Sequence, residues 1–227
     1  MKNNINHNRR NALKIGLSAS GLILAMSPMT KALGQACLGK TPEQPEGPFY
    51  PIHDQLDKDN DLTSVTGKSE RAKGEVIYVR GIATDEKCQP IKGALVEIWQ
   101  ACHTGKYNHP GDPNTAALDP NFQYWGKCVT NEKGEYLFKT ILPGAYPAGD
   151  GWIRPPHIHY KISGFGFGEL ITQMYFLGND LNDKDLILKR LSKPDQSKVV
   201  VELKDPPEGF EPESRIGIFN ITLEKIR

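Results

Sequence analysis

Two histidines one residue apart, in Arg154-Pro155-Pro156-His157-Ile158-His159-Tyr160, are the sharpest chemical feature of this sequence. On a strand, residues i and i+2 face the same side. His157 and His159 then converge, and Ile158 turns toward a core. Two convergent imidazoles are half of a mononuclear metal site, and alone they suit zinc, copper or Fe(II). A bare H-x-H is more often a pair of ordinary hydrogen-bonded histidines, so the company it keeps decides. No Asp or Glu stands nearby in an H-x-D/E arrangement, and Cys37, Cys88, Cys102 and Cys128 contain no C-x-x-C clamp.

Two tyrosines occupy unusual loop contexts instead. Tyr107 lies in Gly105-Lys106-Tyr107-Asn108-His109-Pro110, and Tyr146 in Pro143-Gly144-Ala145-Tyr146-Pro147. Singly, each reads as a packing tyrosine with a satisfied hydroxyl. A tyrosinate ligand demands a hard, strongly Lewis-acidic ion, because the free phenol pKa is about 10. Fe(III) is the biological ion that best meets that demand.

The elements that must position these groups read as β. Runs at 76–83, 94–99, 136–142, 158–162, 170–176, 199–203 and 216–223 are short, apolar or alternating, and bounded by turn residues such as Gly93, Gly134, Gly144 and Pro206-Pro207. Tyr107 follows the run ending at Trp99, and Tyr146 the run ending at Leu142. A short helix is expected at about 184–191. Residues 37–73, with Pro42, Pro45, Pro48 and Pro51, predict an irregular strap. The expected fold is an all-β sandwich of mixed or antiparallel sheets over 74–227, preceded by that strap.

At this point the chain resembles the intradiol ring-cleavage dioxygenases, especially the chains of protocatechuate 3,4-dioxygenase. The resemblance runs from Glu46-Gly47-Pro48-Phe49-Tyr50 to Phe219-Asn220-Ile221-Thr222-Leu223. It is carried by Pro90-Ile91-Lys92-Gly93-Ala94-Leu95-Val96-Glu97-Ile98-Trp99-Gln100-Ala101, by Leu118-Asp119-Pro120-Asn121-Phe122, by the two tyrosine loops and the Arg-Pro-Pro-His-Ile-His run, and by Thr172-Gln173-Met174-Tyr175-Phe176. Each piece is weak alone, whereas their order together is specific. The resemblance implies mononuclear non-haem Fe(III) held by Tyr107, Tyr146, His157 and His159, with Tyr146 also acting as a base. It places Arg154 and Gln173 beside the substrate, and Tyr50 either lines that pocket or packs the strap. The implied reaction is cleavage of a catechol-type diol by O2 to a cis,cis-muconate-type product. Ala148 stands where the protocatechuate enzymes share a bulky aromatic, which leaves the ring substituent open. The alternative is a transthyretin-like binding sandwich, which needs no iron.

Among 227 residues, 28 Lys and Arg nearly balance 27 Asp and Glu, which argues against nucleic acid as a partner. Residues 1–36 differ from the rest. Asn8-Arg9-Arg10-Asn11-Ala12-Leu13-Lys14 resembles a twin-arginine export signal, followed by a short apolar run at 15–26 and small residues before Cys37. Cleavage after Gly34 or Ala36 would leave an exported protein, periplasmic or extracellular, with no membrane insertion. An oxidising compartment permits disulfides, and four cysteines allow three pairings among which the sequence does not choose; the preferred one, Cys102–Cys128, would tie down the Tyr107 loop. Assembly with like or unlike chains stays open at the level of sequence.

Overall fold

Alternation along the strands sorts their side chains into a core face and a face that carries chemistry. The computed structural model describes residues 39–55, 57–149 and 151–226; the expected export signal lies outside them. One sheet is built on β1 (Val76–Asp85), which pairs antiparallel with β4 (Glu135–Ile141) and parallel with β10 (Arg215–Ile218) and β11 (Ile221–Leu223). The other has the order β3-β2-β7-β8-β9, from β2 (Leu95–Trp99), β3 (Trp125–Val129), β7 (His157–Ser163), β8 (Leu170–Phe176) and β9 (Val200–Val201). In this second sheet Val96, Ile98, Ile158, Tyr160, Ile162 and Met174 join the main core with Ile77, Val79, Tyr136 and Phe138 of the first. The sandwich expected from the sequence is the fold observed.

The opposite face of the second sheet holds the polar set. Trp99 pairs with Trp125 and with His159, His159 with Gln173, and His157 with Tyr175. Cross-strand partners share a face, so these side chains form one continuous patch. Over it lies the strap. Gln44 N–H donates to the Ile171 carbonyl at 2.9 Å, Thr172 Oγ1 donates to Pro42 O at 2.7 Å, and Thr41 N–H donates to Thr222 O at 3.2 Å.

Three local expectations change. The helix is not at 184–191. Asn182–Lys184 and Leu188–Arg190 are single 3₁₀ turns, and α1 spans Lys193–Val199. Ser192 caps α1 by accepting from Asp195 N–H, with a proline in the first turn, a start signal that outweighs the apolar run before it. Strand β3 lies in a stretch where no strand was expected, because Gly126 and Lys127 break the apolar pattern. Finally, Cys102 and Cys128 are free, while Cys88 is disulfide-bonded. Cys128 stands opposite Val96, and Cys102 lies beyond the other end of β2. The three residues from Val96 to Trp99 already span about 10 Å at ~3.3 Å each. A disulfide reaches only about 7 Å between Cα atoms. Among the described residues, no helix is long and apolar enough to cross a membrane.

Candidate metal centre

Glycine contacts bring the two tyrosine loops together. A Cβ on Gly105 would sit 2.2 Å from the Ala145 carbonyl oxygen, and one on Gly144 would sit 2.4 Å from Gly105 N. Gly105 also has φ +81°. Only glycine fits such an approach, so the backbones of 102–107 and 143–146 pack directly. Asp112 fixes the first loop by accepting from Tyr107 N–H at 2.7 Å. The second loop enters β5 (Tyr146–Pro147), which pairs with β6 (Ile153–Arg154) so that Tyr146 faces Arg154.

The four side chains expected to bind metal meet here. His157 Nε2 lies 3.2 Å from His159 Nε2 and 3.4 Å from Tyr107 Oη. The Tyr146 ring is 5.6 Å from that of His157 and 5.4 Å from that of Tyr107. All four residues are at most 5% exposed. His157 Nδ1 lies 2.7 Å from Pro155 O, so Nδ1 carries the proton and donates. Nε2 then carries the lone pair, which Arg154 Nη1 meets here and a metal would take, the usual arrangement behind a ligating histidine.

Burial first, and then the Arg154 charge, hold His157 and His159 well below the ordinary histidine range. Both are neutral donors. Burial pushes the phenols of Tyr107 and Tyr146 above their ordinary value, with Tyr146 adding to the rise at Tyr107. Among the described residues, no group of three or more His, Cys, Asp and Glu side chains could hold a metal ion. A metal at the two imidazoles would find further donors in the phenols beside them. Two neutral imidazoles and two phenols converging in one buried cluster fit a hard, strongly Lewis-acidic ion such as Fe(III).

Arg154 is 3% exposed, and each of its three nitrogens has a partner. Its Nε pairs with Asp185 Oδ2 at 3.0 Å. Its Nη2 donates to Gln173 Oε1 at 2.8 Å and to Tyr175 Oη at 3.1 Å. Its Nη1 lies 3.1 Å from His157 Nε2. Burial alone would lower its pKa, but Tyr175, Tyr146 and Asp185 raise it above the usual arginine value, so it stays a cation. Gln173 stands behind Arg154. Its Nε2 donates to Pro45 O at 2.7 Å and its Oε1 is taken by Arg154 and Tyr175, so it holds Arg154 and not a ligand ring. Tyr50 packs edge-on against Trp99 with its hydroxyl on Glu97 at 3.2 Å, and burial pushes that phenol up to about 12.

Asp185, Tyr175, Gln44 and Trp99 were not singled out by sequence reasoning. Asp185 is one of three aspartates in 180–185, and nothing in the sequence marks it as the buried one. Tyr175 was findable, since it lies at i+2 from Gln173 on the same strand face.

These features define a class: an all-β sandwich with a buried tyrosine–histidine centre beside a fixed cation. A family model described as Dioxygenase matches residues 45–224. The β chain of protocatechuate 3,4-dioxygenase from Burkholderia cepacia is 44% identical over 146 residues, covering 63% of this chain and 62% of that protein. The dioxygenase domain of a dioxygenase carbohydrate-binding protein fusion from Streptomyces sp. SirexAA-E superposes with a TM-score of 0.61 at 27% identity, covering 82% of this chain and 99% of that one. An intradiol ring-cleavage dioxygenase from Tetranychus urticae gives a TM-score of 0.63 at 26% identity, with coverages of 83% and 96%. The chain belongs to the intradiol ring-cleavage dioxygenase family. It spans 62% of the length of the Burkholderia protein and 61% of that of 6-chlorohydroxyquinol 1,2-dioxygenase from Cupriavidus pinatubonensis, less than two thirds of either.

Proposed function

We propose that this protein cleaves a catechol-type diol between its two hydroxylated carbons, using O2 and one Fe(III) held by Tyr107, Tyr146, His157 and His159. The observation that carries this reading is the convergence of two phenols with two neutral imidazole nitrogens, 3.2 Å apart. Fe(III) supplies the Lewis acidity that draws electron density from a bound diol and opens its ring to O2.

The protein's own groups do the rest. A diol must lose two protons to bind through both oxygens. Tyr146 Oη, deprotonated while it holds the metal, would accept one of them and become a neutral phenol, and the other would pass to solvent. Once His157 Nε2 is committed to a metal, Nη1 of Arg154 loses the acceptor it now holds. That nitrogen is the donor available to a substrate, fixed from behind by Asp185, Gln173 and Tyr175. A preorganised cation there stabilises negative charge as it builds on the ring. Asp185 balances the arginine charge, so the arginine does not by itself exclude a metal cation.

The balance is one diol plus one O2 giving one dicarboxylic acid of cis,cis-muconate type. Turnover under ¹⁸O2 tests it. The reading expects both labelled atoms in one ring-opened product, with one O2 consumed per diol. No oxygen uptake by iron-loaded protein on catechol, protocatechuate or hydroxyquinol would overturn it and favour a binding sandwich. We also propose export by the twin-arginine route, from Arg9-Arg10 in the sequence. Arg9→Lys with Arg10→Lys should retain the protein in the cytoplasm, and unchanged export of that variant would sink the route.

A further inference from the structure

The two histidines are supported in different ways. His157 has a backbone acceptor on Nδ1, which fixes both its tautomer and its ring direction. His159 Nδ1 is buried and has no hydrogen-bond partner. A ligating imidazole normally has such a partner, so something else must hold this ring. The nearest candidate is a flat aromatic. Trp99 stacks on His159 with ring centroids 4.8 Å apart and planes 10° from parallel. The register pairs the two residues across β2 and β7, so the stack is set by strand pairing and not by a mobile loop. A Cβ on Gly47 would reach 3.3 Å from His159 Cε1, so the strap also packs against the imidazole.

Trp99 is itself fixed. It is 1% exposed, and its Nε1 has no partner either, so its place depends on ring contacts. Tyr50 meets it edge-on at 5.0 Å and 85°. Tyr50 in turn is tied through its hydroxyl to Glu97, which also accepts from Trp125 Nε1 at 3.1 Å and pairs with Lys127 at 3.3 Å.

We infer that Trp99 is the positioning residue for His159, its stacked face replacing the hydrogen bond that orients His157. This rests on the Fe(III) reading proposed above. The arrangement makes His159 the less basic donor of the pair, because no acceptor on Nδ1 feeds electron density into the ring. It also carries the orientation of a metal ligand through Glu97, Tyr50 and Trp99, none of which touches the metal.

The test is iron retention, not turnover. Fe(III)-loaded wild type, Trp99→Phe and Trp99→Leu are mixed with a strong chelator, and the loss of visible absorption is timed. The high-spin ferric resonance of each is recorded beforehand. W99F keeps an aromatic face and should stay within about threefold of wild type. W99L keeps apolar bulk without a face. It should release iron at least about tenfold faster, in line with the loss on removing ligand support, and should show a broadened or shifted ferric signal. Thermal melting of the metal-free forms checks the fold. If W99L fails to fold, Tyr50→Leu takes its place and should speed release in the same direction. Release and resonance unchanged in W99L, or in Y50L where that variant is needed, would overturn the inference. So would W99F losing iron as fast as W99L, since the role would then be packing alone. A wild type that takes up no iron would instead overturn the metal reading, and this inference with it.

Discussion

Tyr146 and Arg154 face each other across the two-residue ribbon of β5 and β6, and Arg154 Nη1 also reaches 3.1 Å from Nε2 of His157. One short hairpin thus sets a phenol and a cation against the same pair of buried imidazoles. The ribbon is closed at its tip by Ala148 N–H donating to Trp152 O at 2.8 Å, and at its base by the buried contacts of Arg154. The position of the phenol and the position of the charge are therefore not independent.

That coupling predicts how Arg154→Lys behaves. A lysine has one compact head and cannot serve Asp185, Gln173, Tyr175 and His157 together, as the planar fork does. Iron content should be retained, while kcat/KM on catechol falls by about 10²- to 10³-fold, the usual cost of losing a preorganised donor. Steady-state kinetics check this, and activity within threefold of wild type would remove Arg154 from the chemistry.

Asp185 should matter to stability as well as to catalysis. It is 0% exposed, and besides Arg154 it accepts from Ile187 N–H at 3.0 Å and Leu188 N–H at 2.7 Å. Asp185→Asn leaves a buried guanidinium unpaired, which costs about 3–5 kcal/mol. Urea denaturation of the metal-free protein measures this. Combining it with Arg154→Met should recover much of the loss, because the buried charge goes with it.

Tyr146→Phe separates the base from the ligand. The variant should keep some iron on Tyr107, His157 and His159 and retain part of its tyrosinate colour. Deprotonation of the diol should slow by about 10²-fold, read as a slow anaerobic binding phase by stopped flow. Wild-type binding and turnover in this variant would contradict the base role.

Iron uptake should be proton-linked with a defined sign. In the metal-free protein the phenols of Tyr107 and Tyr146 are pushed up and stay protonated at neutral pH. The imidazoles are held down and are already neutral. Binding Fe(III) must then release about two protons, both from phenols, so apparent affinity rises by about 100-fold per pH unit. Proton release on transfer from a chelator of known stoichiometry counts them, and one or none would mean that a single tyrosinate, or neither, binds. The same depressed imidazoles make the metal-free fold weaken as pH falls below about 6.5, where the unfolded chain takes up protons that the fold does not.

Much of this was legible in the sequence, for reasons visible in particular residues. The alternation at His157-Ile158-His159 fixes which side each faces, and the structure puts Ile158 in the core and both imidazoles on the other side. Gly105 and Gly144 marked loops, but their close approach needs the fold, because it brings together backbones some forty residues apart. Asp185 was hidden among neighbouring acids, and only the path of 177–192 shows which one is buried. The preference for Cys102–Cys128 among the three open pairings did not hold, because cysteine count says nothing about register, which sets Cys128 against Val96.

The central claim is that these four side chains hold Fe(III) and that a diol binds it directly. The most direct measurement is the visible spectrum of the purified iron-loaded protein, before and after anaerobic addition of catechol. A wine-red protein whose band shifts with catechol, and whose colour is lost in a Tyr107→Phe, Tyr146→Phe double variant, is the predicted result. A protein that stays colourless after reconstitution with iron, or whose colour ignores both catechol and the loss of both tyrosines, would contradict the account.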